Sequence, residues 1–198
     1  MKTIDSQSAK QETPALDEQL TKRQFDEALA RCRKVFVAKL GDYSPSWRLM
    51  RPSTVTDQMF IKARRIRSIE TKGETWVGEG ILPEFVALVN YGIIGLIQIQ
   101  LGVAETTDIS NERAIELYDS ISRDARDLMI AKNHDYDEAW RMMRVSSYTD
   151  FILTKLIRTK EIEDNGGTTA VSEGIESNYL DIINYAVFGI IRLSSQQH

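Results

Sequence analysis

The stretch that decides the fold is Asn178-Tyr-Leu-Asp181-Ile-Ile-Asn184-Tyr-Ala-Val-Phe-Gly-Ile-Ile191. It is apolar on almost every side, which is typical of a helix buried within its domain. Asn178, Asp181 and Asn184 recur every three residues and therefore lie roughly on one face. A buried carboxylate is costly unless a cation, a metal ion or several donors satisfy it. The polar stripe is therefore either a ligand site or a row of side chains that make hydrogen bonds to neighbouring helices.

Much of the chain occurs twice. Residues of the first half recur 93 positions later, and after a one-residue insertion they recur 94 positions later. The matches at 93 include Asp42-Tyr43 with Asp135-Tyr136, Trp47-Arg48 with Trp140-Arg141, Thr56-Asp57 with Thr149-Asp150, and Lys62 and Arg65 with Lys155 and Arg158. Those at 94 include Glu79-Gly80-Ile81 with Glu173-Gly174-Ile175, and Asn90-Tyr91 with Asn184-Tyr185. So many matches at a constant separation do not arise by chance, so the sequence predicts an internal duplication.

Each repeat reads as three helices. Apolar residues at helical spacing predict helices over about 14–39, 55–71 and 83–101, and again over about 108–132, 149–162 and 178–191. Residues 1–13 form a predicted disordered tail, 14–104 the first repeat and 105–198 the second. No strand-like alternation competes with this all-α pattern. Because each unit must bury its apolar helices, we expect the repeats to pack on each other as one globular unit, an internally duplicated helical bundle forming an intramolecular pseudo-dimer.

Composition narrows the class of protein. The net charge of −4 argues against a general surface for nucleic acid or anionic membrane. The single cysteine, Cys32, allows no intramolecular disulfide, and its helical context favours a packed thiol over a nucleophile. The polar N-terminus does not resemble a signal peptide, and the apolar runs fall short of the ~20 residues that a membrane span needs. We therefore expect a cytoplasmic protein.

Several residues that both repeats share carry a structural and a functional interpretation. Trp140 and Tyr136 either anchor their loop in the core or offer a face for a base. Asp150 either pairs with a helix dipole or belongs to a site. Lys155 and Arg158 lie three apart on one helix, which suits a solvated face, salt bridges or phosphate binding equally.

The acidic residues of the second repeat point to a metal. Glu173 precedes the last helix and Asp181 lies inside it. Oxygen ligands of this kind suit Mg²⁺ or Mn²⁺, which would bridge a polyphosphate. The first repeat keeps Glu79 but has Ala87 in place of Asp181 and Glu84 in place of Asn178. The second repeat is therefore predicted to hold the better-preserved site and the first a degenerate one, unless both halves contribute to a composite site.

The second repeat also resembles a known family. The run Lys132-Asn-His-Asp135-Tyr136…Trp140-Arg141, then Lys155-Leu-Ile-Arg158, then Ser172-Glu173…Asn178-Tyr-Leu-Asp181…Asn184-Tyr185 is similar to the nucleotide modification associated domain 1 family. That family is similar in turn to the all-α NTP pyrophosphatases of the MazG and dimeric dUTPase type. This resemblance implies Mg²⁺-dependent attack of water between the α and β phosphates, which yields a nucleoside monophosphate and pyrophosphate. Thr154, Lys155 and Arg158 stand where those enzymes carry paired glutamates.

Three hypotheses follow. The first is a Mg²⁺-dependent (d)NTP pyrophosphohydrolase; the second is a non-catalytic nucleotide sensor or accessory protein in nucleotide modification; the third is a structural helical interaction module. In the first, Glu173 and Asp181 hold the metal and Asp150 is a ligand or orients the water. The predicted substrate-binding residues are Asn133, Asp135, Tyr136, Trp140, Lys155, Arg158, Asn178 and Asn184. The expected partner is a nucleoside or deoxynucleoside triphosphate, without a membrane or nucleic acid, and two pseudo-dimers could form a homodimer.

Overall fold

The computed structural model describes residues 18–75, 78–168 and 174–195, and these residues form six α-helices and no strands. In chain order they are α1 (Glu18–Tyr43), α2 (Pro52–Lys72), α3 (Leu82–Leu101), α4 (Asn111–Tyr136), α5 (Val145–Asp164) and α6 (Ile175–Ser195). Short 3-10 turns, Ser46–Leu49 and Ala139–Met142, precede α2 and α5. The same order of elements thus occurs twice, and the all-α prediction is confirmed. The predicted tail, 1–13, and the predicted helix start at Pro14 lie outside the described residues.

The predicted ends of the first helix in each repeat are wrong. We expected α1 to end near Lys39 and α4 near Lys132, with Asn133 opening a loop, but both helices continue for one more turn, to Tyr43 and Tyr136. Left-handed backbone ends them, at Ser44 (φ 50°) and at Asp137 (φ 47°). Helices commonly end this way, but usually at glycine or asparagine. Neither Ser44 nor Asp137 gives that signal, so the sequence predicts loops in place of these last turns.

The two repeats meet most closely where α3 crosses α6. A methyl group added at Gly95 would lie 2.8 Å from the ring of Tyr179, and one added at Gly189 would lie 2.8 Å from the ring of Phe85. Gly189 follows Gly95 by 94 residues, as Tyr179 follows Phe85. Each repeat therefore seats its aromatic ring on the glycine of the other. Such reciprocal contacts are what a two-fold axis produces, and they confirm the intramolecular pseudo-dimer.

Polar contacts across the remaining helices obey the same reciprocity. Helices α2 and α5 exchange two ion pairs and two hydrogen bonds, and α1 and α4 exchange two further ion pairs. Between α2 and α5, the ion pair Arg67–Asp150 is equivalent to Lys160–Asp57, and the hydrogen bond from Thr56 to Glu163 is equivalent to that from Thr149 to Glu70. Between α1 and α4, the ion pair Arg33–Asp119 is equivalent to Arg126–Asp26. Many residues that recur in the sequence therefore recur because they join one repeat to the other. The duplicated unit is built to pair with itself.

The core is mainly apolar and includes the cysteine. Cys32 is fully buried, and burial raises the pKa of its thiol to about 12. One described helix, α3, is long and apolar enough to cross a membrane, although the sequence was expected to contain none. In this structure 72% of its apolar window is buried, as in the central helix of a soluble protein.

Candidate functional site

Asp181 lies at the centre of a cationic cluster in the second repeat. Its side chain projects from α6 and is only 6% exposed. Lys132, in the last turns of α4, donates to Oδ1, and the Lys155 ammonium on α5 lies 2.7 Å from Oδ2. Two ammonium groups thus surround one carboxylate, and the cluster carries a net positive charge. Of the predicted residues, Asp181 and Lys155 are brought together.

Of the two predicted metal ligands, only Asp181 lies in the described part of the chain. Glu173 lies outside the described residues. Both oxygens of Asp181 are engaged by lysines, which supply the positive charge that Mg²⁺ would otherwise supply. The described residues contain no group of three or more His, Cys, Asp or Glu side chains able to hold an ion. As arranged here, Asp181 does not fit a divalent cation, and ligation together with Glu173 stays a prediction.

Asp150 is placed away from that cluster. It lies on α5 with its side chain 57% exposed and pairs with Arg67 of α2, across the contact between the repeats. Its first-repeat equivalent, Asp57, pairs with Lys160 at 2.6 Å in the same way. This arrangement accounts for the recurrence of both aspartates. A catalytic role for Asp150 stays a prediction.

Asn133 and Trp140 contact each other. The Trp140 indole donates to the Asn133 amide oxygen at 3.2 Å, and the Asn133 amide donates to Glu138 at 3.1 Å. Both side chains are therefore used in holding the end of α4 against the following 3-10 turn. Asp135 and Tyr136 point to solvent beside them, with a 75% exposed side chain and a 69% exposed residue respectively.

The two buried asparagines of α6 are poorly satisfied. Asn178 donates to the Gly174 carbonyl, while its own amide oxygen and both amide atoms of Asn184 have no partner among the described residues. The equivalent of Asn184 in the first repeat, Asn90, accepts from the Tyr118 hydroxyl at 2.8 Å. The residue related to Tyr118 by the repeat is Phe25, which has no hydroxyl to offer. The halves have therefore diverged in how they satisfy this position.

A cavity with a mixed polar and aromatic lining lies in the first repeat. The cavity has a volume of about 680 Å³ and is bounded by α1, α2 and α3. Its lining includes two lysines, two aromatic rings, a glutamate and an amide: Lys39, Lys62, Tyr43, Trp47, Glu84 and Asn90. These are the equivalents of Lys132, Lys155, Tyr136, Trp140, Asn178 and Asn184. The cavity thus occupies, in the first repeat, the position where the sequence predicts a site in the second.

Ala87 is the main difference at this position. It lines the cavity in place of Asp181, and a methyl group leaves room that a carboxylate would fill. The nearby carboxylate is Glu84, which is 4% exposed; Arg65 donates to it, and the Lys62 ammonium lies 3.2 Å away. Lys39 makes no ion pair or hydrogen bond with any residue of the described ranges. The first repeat therefore presents an open cavity with an unpaired lysine in its wall.

Trp47 adds a second unpaired group to the wall. It is 7% exposed, and its indole N–H has no partner within the described ranges. Trp140 donates to Asn133, but the equivalent residue in the first repeat is Leu40, whose side chain has no atom that could accept a hydrogen bond from Trp47. A buried donor without a partner costs about 1–3 kcal/mol. Acceptor atoms of a ligand are one way to satisfy it.

Sequence reasoning missed the lysines at the end of the first helix of each repeat. Lys132 and Lys39 are separated by the repeat distance of 93 residues, which is the signal that could have found them. They were passed over because they sit at the predicted helix ends rather than beside the acidic residues. Lys132 contacts Asp181, and Lys39 lines the cavity together with Ala87, the equivalent of Asp181.

The family comparison agrees with the two-fold organisation. The family model described as Nucleotide modification associated domain 1 matches twice, over residues 39–99 and 132–193. The two segments correspond to the two repeats and together cover more than half of the chain. Neither a curated protein nor a solved structure matches the chain. The chain belongs to the nucleotide modification associated domain 1 family, of which it carries two copies in tandem.

Proposed function

We propose that this protein binds a nucleotide in the first-repeat cavity and acts as a nucleotide sensor or as an accessory protein in nucleotide modification. The observation that carries the proposal is the cavity itself, with cations and aromatic rings among its lining residues. Its volume, about 680 Å³, lies within the ~300–1,000 Å³ that ligand pockets usually have. The family description supports the same class of ligand.

The lining separates into parts that suit the parts of a nucleotide. Lys39, Lys62 and Arg31 provide ammonium and guanidinium groups, which bind phosphate oxygens by charge-assisted hydrogen bonds. Trp47 and Tyr43 provide ring faces and polar edges that suit a base. Three cations against Glu79 and Glu84 leave the lining with a positive formal charge. An anionic ligand with an aromatic part is the best match.

Hydrolysis is the second candidate, because two carboxylates, Glu79 and Glu84, line the same cavity. A (d)NTP pyrophosphohydrolase of the MazG or dimeric dUTPase type needs carboxylates beside the phosphates, with Mg²⁺ to neutralise the charge that develops on them. Against this candidate, Glu84 is committed to Lys62 and Arg65. In the second repeat Asp181 is committed to two lysines. Binding without turnover therefore accounts for more of the arrangement.

A nucleotide panel tests both candidates. Ribo- and deoxyribonucleoside triphosphates, with and without Mg²⁺, are added to the protein, and melting temperature and pyrophosphate release are measured. Binding raises the melting temperature in proportion to RT ln(1 + [L]/Kd), so a ligand at ~100 times its Kd adds about 2.7 kcal/mol. We expect a rise without pyrophosphate release. Release of pyrophosphate would favour hydrolysis, and a panel without any shift would refute nucleotide binding.

A matched pair of variants localises the effect. Lys39→Met removes the unpaired cation from the cavity wall, whereas Lys34→Met removes an exposed lysine of the same helix that does not line the cavity. We expect Lys39→Met to weaken nucleotide binding at least about tenfold, because a charge-assisted hydrogen bond contributes about 1.5–3 kcal/mol. Lys34→Met should bind as the wild type does. Equal effects of the two variants on nucleotide binding would show that the nucleotide does not bind in this cavity.

A further inference from the structure

The two repeats share their cations but place their carboxylate differently. Three basic residues recur in register: Lys39, Lys62 and Arg65 in the first repeat, and Lys132, Lys155 and Arg158 in the second. Each repeat also has one buried carboxylate on its third helix. It is Glu84 in the first repeat and Asp181 in the second, with Asn178 and Ala87 at the alternate positions. The acidic group has thus moved by one helical turn between the halves.

This shift changes which cations are neutralised. Asp181 holds the first two cations of its repeat, Lys132 and Lys155, and Arg158 forms no ion pair with a residue in the described ranges. Glu84 holds the last two cations of its repeat, Lys62 and Arg65. The first cation, Lys39, is left over. Lys39, Lys62 and Ala87 all line the cavity.

We propose that an anionic group of the ligand, a phosphate, binds between Lys39 and Lys62 beside Ala87, in the place that the Asp181 carboxylate takes in the second repeat. Asp181 acts there as a built-in substitute for that phosphate and keeps the second repeat closed to the same ligand. The chain then binds one ligand although it contains two copies of the domain. This inference rests on the proposed function for the identity of the ligand, but the place of its anionic group follows from the repeat alone.

Charge-conserving exchanges between the halves test the proposal. Glu84→Asn combined with Ala87→Asp gives the first repeat the acidic pattern of the second. Asn178→Glu combined with Asp181→Ala does the reverse. Both double variants keep the net charge of the chain, so long-range electrostatics are matched. Calorimetric titration with inorganic tripolyphosphate, and separately with the nucleotide that the panel identifies, gives the stoichiometry for each.

The wild type should bind one ligand per chain, the first-repeat exchange none or at least tenfold more weakly, and the second-repeat exchange two. Unchanged binding by the first-repeat exchange would overturn the assigned place of the phosphate. A stoichiometry of one for the second-repeat exchange, with its fold intact by circular dichroism, would overturn the role of Asp181 as a plug. Tripolyphosphate binding that disappears in the first-repeat exchange, while no nucleotide binds to the wild type, would uphold the anion site and refute the proposed function.

A ligand-free measurement guards against variants that bind nothing because they are misfolded. Acylation of lysines by acetic anhydride, followed by mass spectrometry, reports which ammonium groups are paired. In the wild type Lys39 should react as fast as the exposed Lys34. In the first-repeat exchange the new carboxylate should slow Lys39 severalfold and leave Lys34 unchanged. An unchanged Lys39 rate would show that position 87 does not face Lys39, and the proposal would fall without any ligand.

Discussion

Gly189→Ala should destabilise the protein relative to the same substitution at an open position. The added methyl group would lie 2.8 Å from the ring of Phe85, closer than nonbonded carbons approach, so α6 and α3 must move apart or the ring must rotate. Overpacking of this kind costs about 1–3 kcal/mol. Alanine also gains about 1 kcal/mol over glycine from helix propensity, which partly hides the cost. Gly41, which is helical and has no atom within 4 Å of an added methyl group, supplies the propensity term alone.

The difference between Gly189→Ala and Gly41→Ala should therefore be about 1–3 kcal/mol, or roughly 2–12 °C in melting temperature for a chain of this size. Gly95→Ala should match Gly189→Ala or exceed it. The ring of Tyr179 that it displaces is tied to Thr56 by a hydrogen bond of 2.7 Å. Urea unfolding and calorimetry measure both differences. If Gly189→Ala and Gly41→Ala shift stability equally, the two repeats do not meet through their third helices as described.

Three further predictions concern single groups. Trp140→Phe should cost about 1 kcal/mol more than Trp47→Phe in urea unfolding, because it takes a donor from Asn133 whereas the Trp47 indole has no partner in the described ranges to lose. Burial raises the pKa of Glu163 above its ordinary value, so the contribution of Glu163 to stability falls as the pH rises from about 4.5 through that raised pKa. The melting temperature of Glu163→Gln should therefore rise relative to that of the wild type over the same interval. Cys32 should not react with a thiol reagent at pH 8 until the protein unfolds, because it is buried and its pKa is about 12.

Each of these has a clear contrary result. Equal costs at the two tryptophans would mean that the Trp140 hydrogen bond contributes nothing. A constant difference in melting temperature between Glu163→Gln and the wild type across pH 4 to 7 would show that Glu163 has the same pKa in the folded and unfolded chain. Rapid labelling of Cys32 in the folded protein would place it at the surface.

The sequence predicted the pairing of the repeats because a duplication constrains contacts as well as elements. Residues that recur at a separation of 93, such as Asp57 and Asp150, turned out to form the same contact twice, each with the partner repeat. The ends of the helices were harder to predict. Ser44 and Asp137 adopt a left-handed backbone conformation that their residue types do not predict. The sequence therefore does not predict the last turns of α1 and α4.

The candidate site was harder to predict because its decisive feature is a difference in packing. The acidic Asp181 drew attention to the second repeat, where the carboxylate is enclosed by lysines from two other helices. Ala87, an unremarkable residue in the sequence, marks the open cavity in the first. Which of two related positions is filled depends on side-chain reach across three helices. The sequence alone shows only that the acidic residue stands at different positions of the third helix, at Glu84 in the first repeat and at Asp181 in the second.

A crystal structure of the protein with the nucleotide from the panel would show directly which repeat binds the ligand. We expect one nucleotide per chain between α1, α2 and α3, with a phosphate within hydrogen-bond distance of Lys39 and Lys62 and with Asp181 still held by Lys132 and Lys155. A nucleotide seated in the second repeat, with Asp181 released from its lysines to bind a metal ion, would contradict it.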